Sequence, residues 1–324
     1  MPSPHYLAFD LGASSGRALL GTLEEGRLRM EEVHRFETPL REDGKRLYWD
    51  LQALDEAVRE GLRAGLDAAP DLQSCSVDSW AVDYVPLGAD GTPLRNPYCY
   101  RDPRTKEVMD EAVRRMGRER IYATTGIQFL PINTLYQVLA DHRMEPETVA
   151  ETAQRLPIAD YFQYRLSGRP VAELSMASTT QLMNVRTHEW ARELMEAFGI
   201  DPATWPEIVP PATRLGPLRD SVVEGPSSSP QVVAGCSHDT ACAVAAVPAK
   251  DEEGPWAYIS CGTWSLLGVE RAEPVLSEAA CEASFTNELG LDGTVRFLKN
   301  LTGLWVLQEC ERAWEAEGQA FDYD

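Results

Sequence analysis

The chain has 324 residues, 44% of them hydrophobic, enough for about two domains with a core each. Its 51 acidic residues against 30 basic ones leave a net charge of -21, which argues against nucleic acid as a partner and leaves any anionic ligand to local dipoles. No apolar run approaches the ~18 residues of a membrane span, and MPSPHYLAFD lacks the basic-then-apolar order of a signal peptide. Seven cysteines without Cys-x-x-Cys spacing read as mostly reduced, so a cytoplasmic protein with no membrane partner is expected.

Residues 6–11 predict a short apolar strand stopping at Gly12, and 17–37 predict two more strands broken at Glu24-Glu25-Gly26. Asp50 reads as the N-cap of a helix on which Leu51, Leu54, Val58 and Leu62 recur at helical spacing. Residues 75–87 return to strand, while 105–118, 131–141 and 149–166 read as helices. A buried-type strand over 232–235 precedes a small-residue helix over 237–247. The polar, proline-bounded stretch 248–255 marks the expected boundary between a domain over 1–248 and one beginning at 249. Strands first, then mixed helices and strands, suit an α/β protein.

Immediately after the boundary, SCGTWSLLG echoes the opening FDLGASSGR: a strand, a glycine, two residues, a serine and a second strand. Gly12 matches Gly262 and Ser15 matches Ser265 at one constant separation. The echo suggests two related halves, each offering a turn of N–H groups and hydroxyls to one ligand between them, although glycine and serine are also ordinary turn residues. Neither turn has the Gly-x-Gly-x-x-Gly spacing of a dinucleotide site or the Gly-Lys-Ser/Thr close of a Walker loop. What remains is a hairpin whose glycines let N–H groups converge on phosphate oxygens, helped by Ser14, Ser15 and Arg17. Asp10, at the strand end, is placed either to hold the water shell of Mg²⁺ or to act as a plain turn acid.

In AGCSHDTA a carboxylate sits in the first turn after a strand. A helix N-terminus stabilises negative charge by about 0.3–1 kcal/mol, less than one pKa unit's worth, so on this count Asp239 stays ionised at neutral pH. It suits an acceptor for a sugar hydroxyl's proton, and equally a capping acid. His238 beside it reads as a structural or hydrogen-bonding histidine, and the other four are scattered with no metal spacing.

FDLGASSGR, GCSHDTA, SCGTWSLLG and LKNLTGLW (298–305) resemble, in order and spacing, the FGGY carbohydrate kinases. VDSWAVDY (77–84) and GIQFLPINTLYQ (126–137) are similar to the branch of that family acting on L-rhamnulose, and the likeness runs from residue 6 to about residue 312. The resemblance implies two actin-like (ribonuclease H-like) α/β domains flanking a cleft, the second one incomplete. It implies Asp239 as catalytic base, and Ala13, Ser14, Ser15, Gly16 and Arg17 as the first phosphate loop. Thr263 and Gln308 would contact the nucleotide, while Trp80, Ala81, Asp83, His238, Thr240 and Asn300 would lie at the sugar. On the residues alone, Trp80 reads equally as core, Asn300 as the cap of a helix over 302–316, and Gln308 as a solvated position.

The implied reaction is transfer of the ATP γ-phosphoryl group to the 1-hydroxyl of L-rhamnulose, with Mg²⁺, by a monomer or weak homo-oligomer. Alternatives are a kinase for another ketose, fuculose or xylulose, and a non-catalytic sugar-binding remnant. Ala81 stands where the family usually has glycine. The sequence ends at Asp324, before the family's glycine-rich adenine segment, so an unfinished second sheet with exposed apolar surface is expected, and with it poor ATP binding by this length of chain alone.

Overall fold

The computed structural model describes residues 3–222, 229–249, 254–262, 264–319 and 321. In β1 (His5–Leu11) every second side chain, Leu7, Phe9 and Leu11, is buried, as a strand with one covered face requires. It pairs antiparallel with β2 (Ser15–Glu24), and β2 pairs with β3 (Arg27–Glu37). The second turn passes through Glu25 and Gly26, both at positive φ, where the sequence predicted a break. A hairpin of β4 (Leu40–Asp43) and β5 (Arg46–Trp49) leads to α1 (Leu51–Ala68), whose N-terminus is capped by the Asp50 carboxylate accepting from the Ala53 N–H. The predicted stripe of Leu51, Leu54, Val58 and Leu62 is buried, together with Gly61 and Gly65. These glycines set how closely the helix sits on the sheet: a Cβ on Gly61 would lie 2.8 Å from Phe9 Cε1 and 3.0 Å from Ala18 Cβ.

The strand predicted over 75–87 is two strands. β6 (Ser74–Ser79) returns parallel to β1, the chain turns at Val82 with φ 69°, and β7 (Tyr84–Leu87) leaves for a different pairing. The helix predicted over 105–118 is α2 (Lys106–Met116), and Gly117 at φ 87° separates it from α3 (Arg118–Thr125). α4 (Thr134–Met144) starts later than predicted, after the turn at Pro131 and Ile132. The single helix predicted over 149–166 does not exist. It is α5 (Pro146–Glu151), then β8 (Gln154–Pro157) paired with β7, then α6 (Ile158–Ser167). Periodicity cannot distinguish a short buried strand from a helix segment, and Pro157, which has no N–H to give, ends the strand rather than interrupting a helix.

Next come β9 (Ala172–Glu173), α7 (Leu174–Thr179), the ribbon of β10 (Met183–Asn184) and β11 (Glu189–Trp190), α8 (Arg192–Ala197), β12 (Ile208–Val209), β13 (Thr213–Pro217) and β14 (Gln231–Ala234). The first sheet has the order β13-β14-β6-β1-β2-β3, with β14, β6 and β1 mutually parallel at its centre. α1 packs on β1, β2 and β3, and α6 on β6, β13 and β14. The helix predicted over 237–247 is shorter, α9 (Asp239–Ala245).

The second sheet is antiparallel, β15-β16-β18-β17, built from β15 (Tyr258–Cys261), β16 (Trp264–Arg271), β17 (Thr286–Leu289) and β18 (Val295–Thr302). α10 (Glu278–Glu282) precedes β17, and α11 (Trp305–Ala316) follows β18. Leu289 and Val295 share a core with Tyr122, Leu135 and Met195 of the helical region, so packed side chains join the second sheet to that region. The apolar surface expected on the second sheet is present: Ile259, Leu267 and Leu301, with Trp305 and Val306 of α11, are exposed. No helix among the described residues is long and apolar enough to cross a membrane.

Gly61→Ala tests the close approach of α1. The helix gains about 1 kcal/mol of propensity from alanine. Overpacking a rigid contact costs about 1–3 kcal/mol. Because the contact is with a fully buried ring and a Cβ, neither of which can swing away, the steric term wins. A lower denaturant midpoint at unchanged slope is expected, and a raised midpoint would refute the assignment.

Candidate active site

Parallel strands bring their carboxyl ends to one edge, and in open α/β sheets that edge is where ligands lodge. Here Asp10 of β1 lies opposite Asp78 of β6, and the Ser79 N–H donates to the Ser237 carbonyl at 2.9 Å, carrying the alignment on to the segment after β14. Asp10, Asp78 and Asp239 thereby line one cleft of about 770 Å³. The other wall of that cleft comes from the second sheet, through Ser260, Gly262, Trp264, Glu288 and Asn300.

Asp239 opens α9, and 37% of its side chain is exposed to the cleft. Burial of its remaining surroundings pushes its pKa up to about 6, while the hydroxyl and N–H of Thr240 hold it down and the charge of Asp10 adds to the rise. The helix-end argument predicted stabilisation of the charge. The structure adds an opposing effect, since burial of the carboxylate raises its pKa. Asp239 still remains mostly ionised at neutral pH. Asp78 is pushed well above the ordinary carboxylate value by burial and by the charges of Asp10 and Asp239.

The loop before Asp239 is held from below by a buried polar network. Glu173 accepts the Ser237 N–H at 2.8 Å, Asp160 accepts the Ser237 hydroxyl at 3.0 Å, and the Ser175 hydroxyl accepts the His238 N–H at 3.3 Å. Burial raises the pKa of both carboxyls, Asp160 far more than Glu173. Every loop group named finds a partner, which fixes the backbone of the residues leading into Asp239.

Both glycine turns face the cleft. In the first, the Gly12 N–H donates to the Ser15 carbonyl at 3.0 Å, and Thr38 braces the turn by donating its hydroxyl to the Gly12 carbonyl at 2.7 Å and its N–H to the Ser14 carbonyl at 3.1 Å. Ala13, Ser14, Ser15 and Arg17 line the cleft, and Arg17 Nε lies 2.9 Å from Asp10 Oδ2. Gly16 does not line it: it is buried, and a Cβ there would meet the Phe36 ring at 2.4 Å. In the second turn the Gly262 N–H donates to the Trp264 carbonyl at 2.8 Å. The register differs by one residue, because Leu11 pairs with Gly16 whereas Cys261 pairs with Ser265. Ser15 and Ser265 are therefore not structural equivalents. Gly303 lets the chain after β18 close on this turn, since a Cβ there would sit 2.6 Å from the Gly262 carbonyl oxygen. Thr263 lies outside the described residues.

Trp80, Ala81, His238, Thr240 and Asn300 all line the cleft. Asn300 belongs to β18 and caps no helix, because α11 begins at Trp305. Asp83 does not reach the cleft. It is 1% exposed and accepts from Trp49 Nε1 at 2.6 Å, Trp80 Nε1 at 2.9 Å, Gln137 Nε2 at 2.8 Å and the Tyr100 N–H at 3.2 Å, so its part is to hold the Trp80 indole. Burial raises its pKa to about 6 against these four donors. Gln308, half-buried on α11, is likewise apart from the cleft lining. Sequence reasoning missed Asp78, Gln128, Asn133 and Glu288. An acid near the end of a strand parallel to β1 was the available signal for Asp78, whereas Glu288 arrives only through the pairing of β17 with β18.

Among the described residues no three His, Cys, Asp or Glu side chains gather closely enough to share a metal ion. The charges of Asp10 and Asp239 both bear on Asp78, a set of hard oxygen donors that suits a cation retaining most of its water rather than a caged one. Asp10 offers partly exposed carboxylate oxygens of the kind such a cation accepts, beside its ion pair with Arg17 at 2.9 Å.

The model of the FGGY family of carbohydrate kinases, N-terminal domain, matches residues 5–246, and that of the C-terminal domain matches 257–323. The chain is 39% identical to a rhamnulokinase of Halalkalibacterium halodurans over 95% of its own length and 65% of the relative's. It is 40% identical to one of Bacteroides thetaiotaomicron over 96% and 64%. It thus spans just under two thirds of the length of these curated relatives. A gluconate kinase of Lactobacillus acidophilus superposes with TM-score 0.83 at 20% identity, over 95% of this chain and 62% of that one. A xylulose kinase of the same organism gives 0.82 at 20% identity, over 97% and 63%. These likenesses establish the two-domain actin-like fold.

Asp239 carries a stability consequence. Its folded pKa of about 6 exceeds the ordinary 3.8, so the folded state binds the proton more tightly, and stability from this site falls as pH rises through that window. Asp239→Asn is expected to melt higher than the parent at pH 7.5, and the gap should close as pH falls below 5. A gap independent of pH would overturn the electrostatic assignment.

Proposed function

The chain belongs to the FGGY family of carbohydrate kinases, and from that membership we propose that it serves ATP-dependent phosphorylation of L-rhamnulose at the 1-hydroxyl. One observation carries the reading: an ionisable carboxylate, Asp239, shares a single cleft with two glycine hairpins contributed by different sheets. Names of relatives at 39–40% identity support L-rhamnulose over fuculose or xylulose as the sugar.

In this reading the first hairpin meets the nucleotide phosphates through its N–H groups, the Ser14 and Ser15 hydroxyls and Arg17, and the second hairpin meets them from the opposite wall. Asp239 orients the sugar's 1-hydroxyl and takes its proton as that oxygen bonds to the γ-phosphorus; the bond from that phosphorus to the bridging oxygen breaks, and ADP leaves with its electrons. A pKa near 6 suits this task, because the carboxylate is free at neutral pH yet more basic than an ordinary aspartate. Mg²⁺, when bound, spreads the phosphate charge, with Asp10 and its water shell as the holding group. Positioning supplies most of the remaining catalysis.

At the sugar, the Trp80 indole is locked by Asp83 and by Trp49, whose ring centroid lies 4.3 Å away, and it offers a flat face to C–H groups. Ala81 adds a methyl to the same wall, tightening the pocket relative to glycine. His238, Thr240 and Asn300 provide the polar contacts.

Three measurements test this. Sugar-dependent ADP release across L-rhamnulose, L-fuculose and xylulose should favour the first, and a preference for either of the others rejects the substrate. In the full-length protein, Asp239→Asn should lower kcat by about 10²–10⁴-fold, with sugar affinity by calorimetry nearly unchanged. In the parent, kcat/KM should fall about tenfold per pH unit below about 6. Turnover near the parent rate in Asp239→Asn would remove the base assignment.

A further inference from the structure

Arg296 lies on β18, and its side chain has no exposed surface. It reaches from the second sheet to the residue before the base: Nη2 lies 3.1 Å from His238 Nδ1, 3.3 Å from Glu288 Oε2 and 3.2 Å from the Leu289 carbonyl. A guanidinium has donors only. The imidazole Nδ1 facing it must therefore present a lone pair, which places the ring hydrogen on Nε2. That nitrogen points to the cleft side, 3.4 Å from Asp239 Oδ1.

The competing arrangement has Nδ1–H donating to Glu288 Oε2, 3.5 Å away. It would set that hydrogen head-on against an Arg296 N–H across a shorter gap, and Glu288 already has Arg296 as its ionic partner. A doubly protonated ring meets the same clash, and burial together with the Arg296 charge lowers the pKa of His238 well below its ordinary value. The ring is also anchored through its backbone, since the His238 N–H donates to the Ser175 hydroxyl.

We infer that Arg296 is a positioning residue that fixes His238 in the neutral Nε2–H form, making it a standing hydrogen-bond donor for an acceptor oxygen next to the hydroxyl that Asp239 deprotonates. This deepens the kinase reading and rests on it. Such a donor suits a sugar with a carbonyl, hemiketal or hydroxyl oxygen on the carbon adjacent to the reacting CH₂OH. The same contact ties the loop of Asp239 to the sheet that carries the second hairpin, adding to the network of Glu173, Asp160 and Ser175 beneath it.

The tautomer is read directly from long-range ¹H–¹⁵N spectra of the unmodified chain, with the His238 signals assigned by their loss in His238→Gln. An unprotonated Nδ1 and a protonated Nε2 at pH 7.5 are expected, and an Nδ1–H ring or an imidazolium overturns the inference. This spectrum needs no turnover, so its failure is distinct from failure of the kinase reading, which the sugar panel decides. For the role at the sugar, glutamine keeps an amide N–H where Nε2–H stood and asparagine does not. kcat/KM for the sugar should fall at least about 100-fold further in His238→Asn than in His238→Gln, with KM for ATP alike in both. Equal losses overturn the donor role. Arg296→Lys, which retains a donor, should keep the parent tautomer, and a switch to Nδ1–H in a folded Arg296→Met completes the assignment; retention of the parent tautomer there refutes it.

Discussion

The parallel pairing of β14, β6 and β1 is the constraint from which the rest of the molecule follows. Parallel strands end together, so three segments far apart in sequence deliver Asp10, Asp78 and Asp239 to one edge. The hairpin after β1 begins at that same edge because β2 must turn back there. What looks like a designed cluster of acids is first a result of strand direction.

Gathering carboxylates has a cost that the structure distributes unevenly. Asp160 and Glu173 sit beneath the loop, where the gain is a fixed backbone, and Asp78 is pushed up by its neighbours' charge. Asp239 is left partly open to the cleft, which keeps it ionisable at neutral pH. Active sites trade stability for a poised group in this way, and here the trade takes the form of incomplete solvation of charges held close together.

The second sheet completes the cleft without repeating the first. Its glycine turn is one residue tighter, and its approach depends on Gly303 rather than on a brace such as Thr38. The second sheet is held by apolar packing, Leu289 and Val295 against the helical region, and by buried polar contacts that include Leu289 N–H to Ser178, Asn287 to the Gly126 carbonyl and Arg296 to His238. Apolar packing sets the distance between the walls, while the contact from Arg296 bears on the orientation of the His238 ring beside Asp239.

The strands around both hairpins, the stripe of α1 and the turn glycines were legible in the sequence because each is governed by neighbours a few residues away: alternation, 3.6-residue spacing, or a φ that glycine tolerates. Asp239 was legible as an acid in the first turn of a helix following a strand, and the resemblance to the family gave it an expected role. The split of 75–87 into strands of different pairings, the strand β8 inside an apparent helix, Asp83 as the support of Trp80 rather than a lining residue, and the upward direction of the Asp239 pKa were decided by tertiary structure alone. Each depends on a partner distant in sequence or on the exclusion of water, and neither a pairing partner nor a desolvated surface exists until the chain has closed on itself.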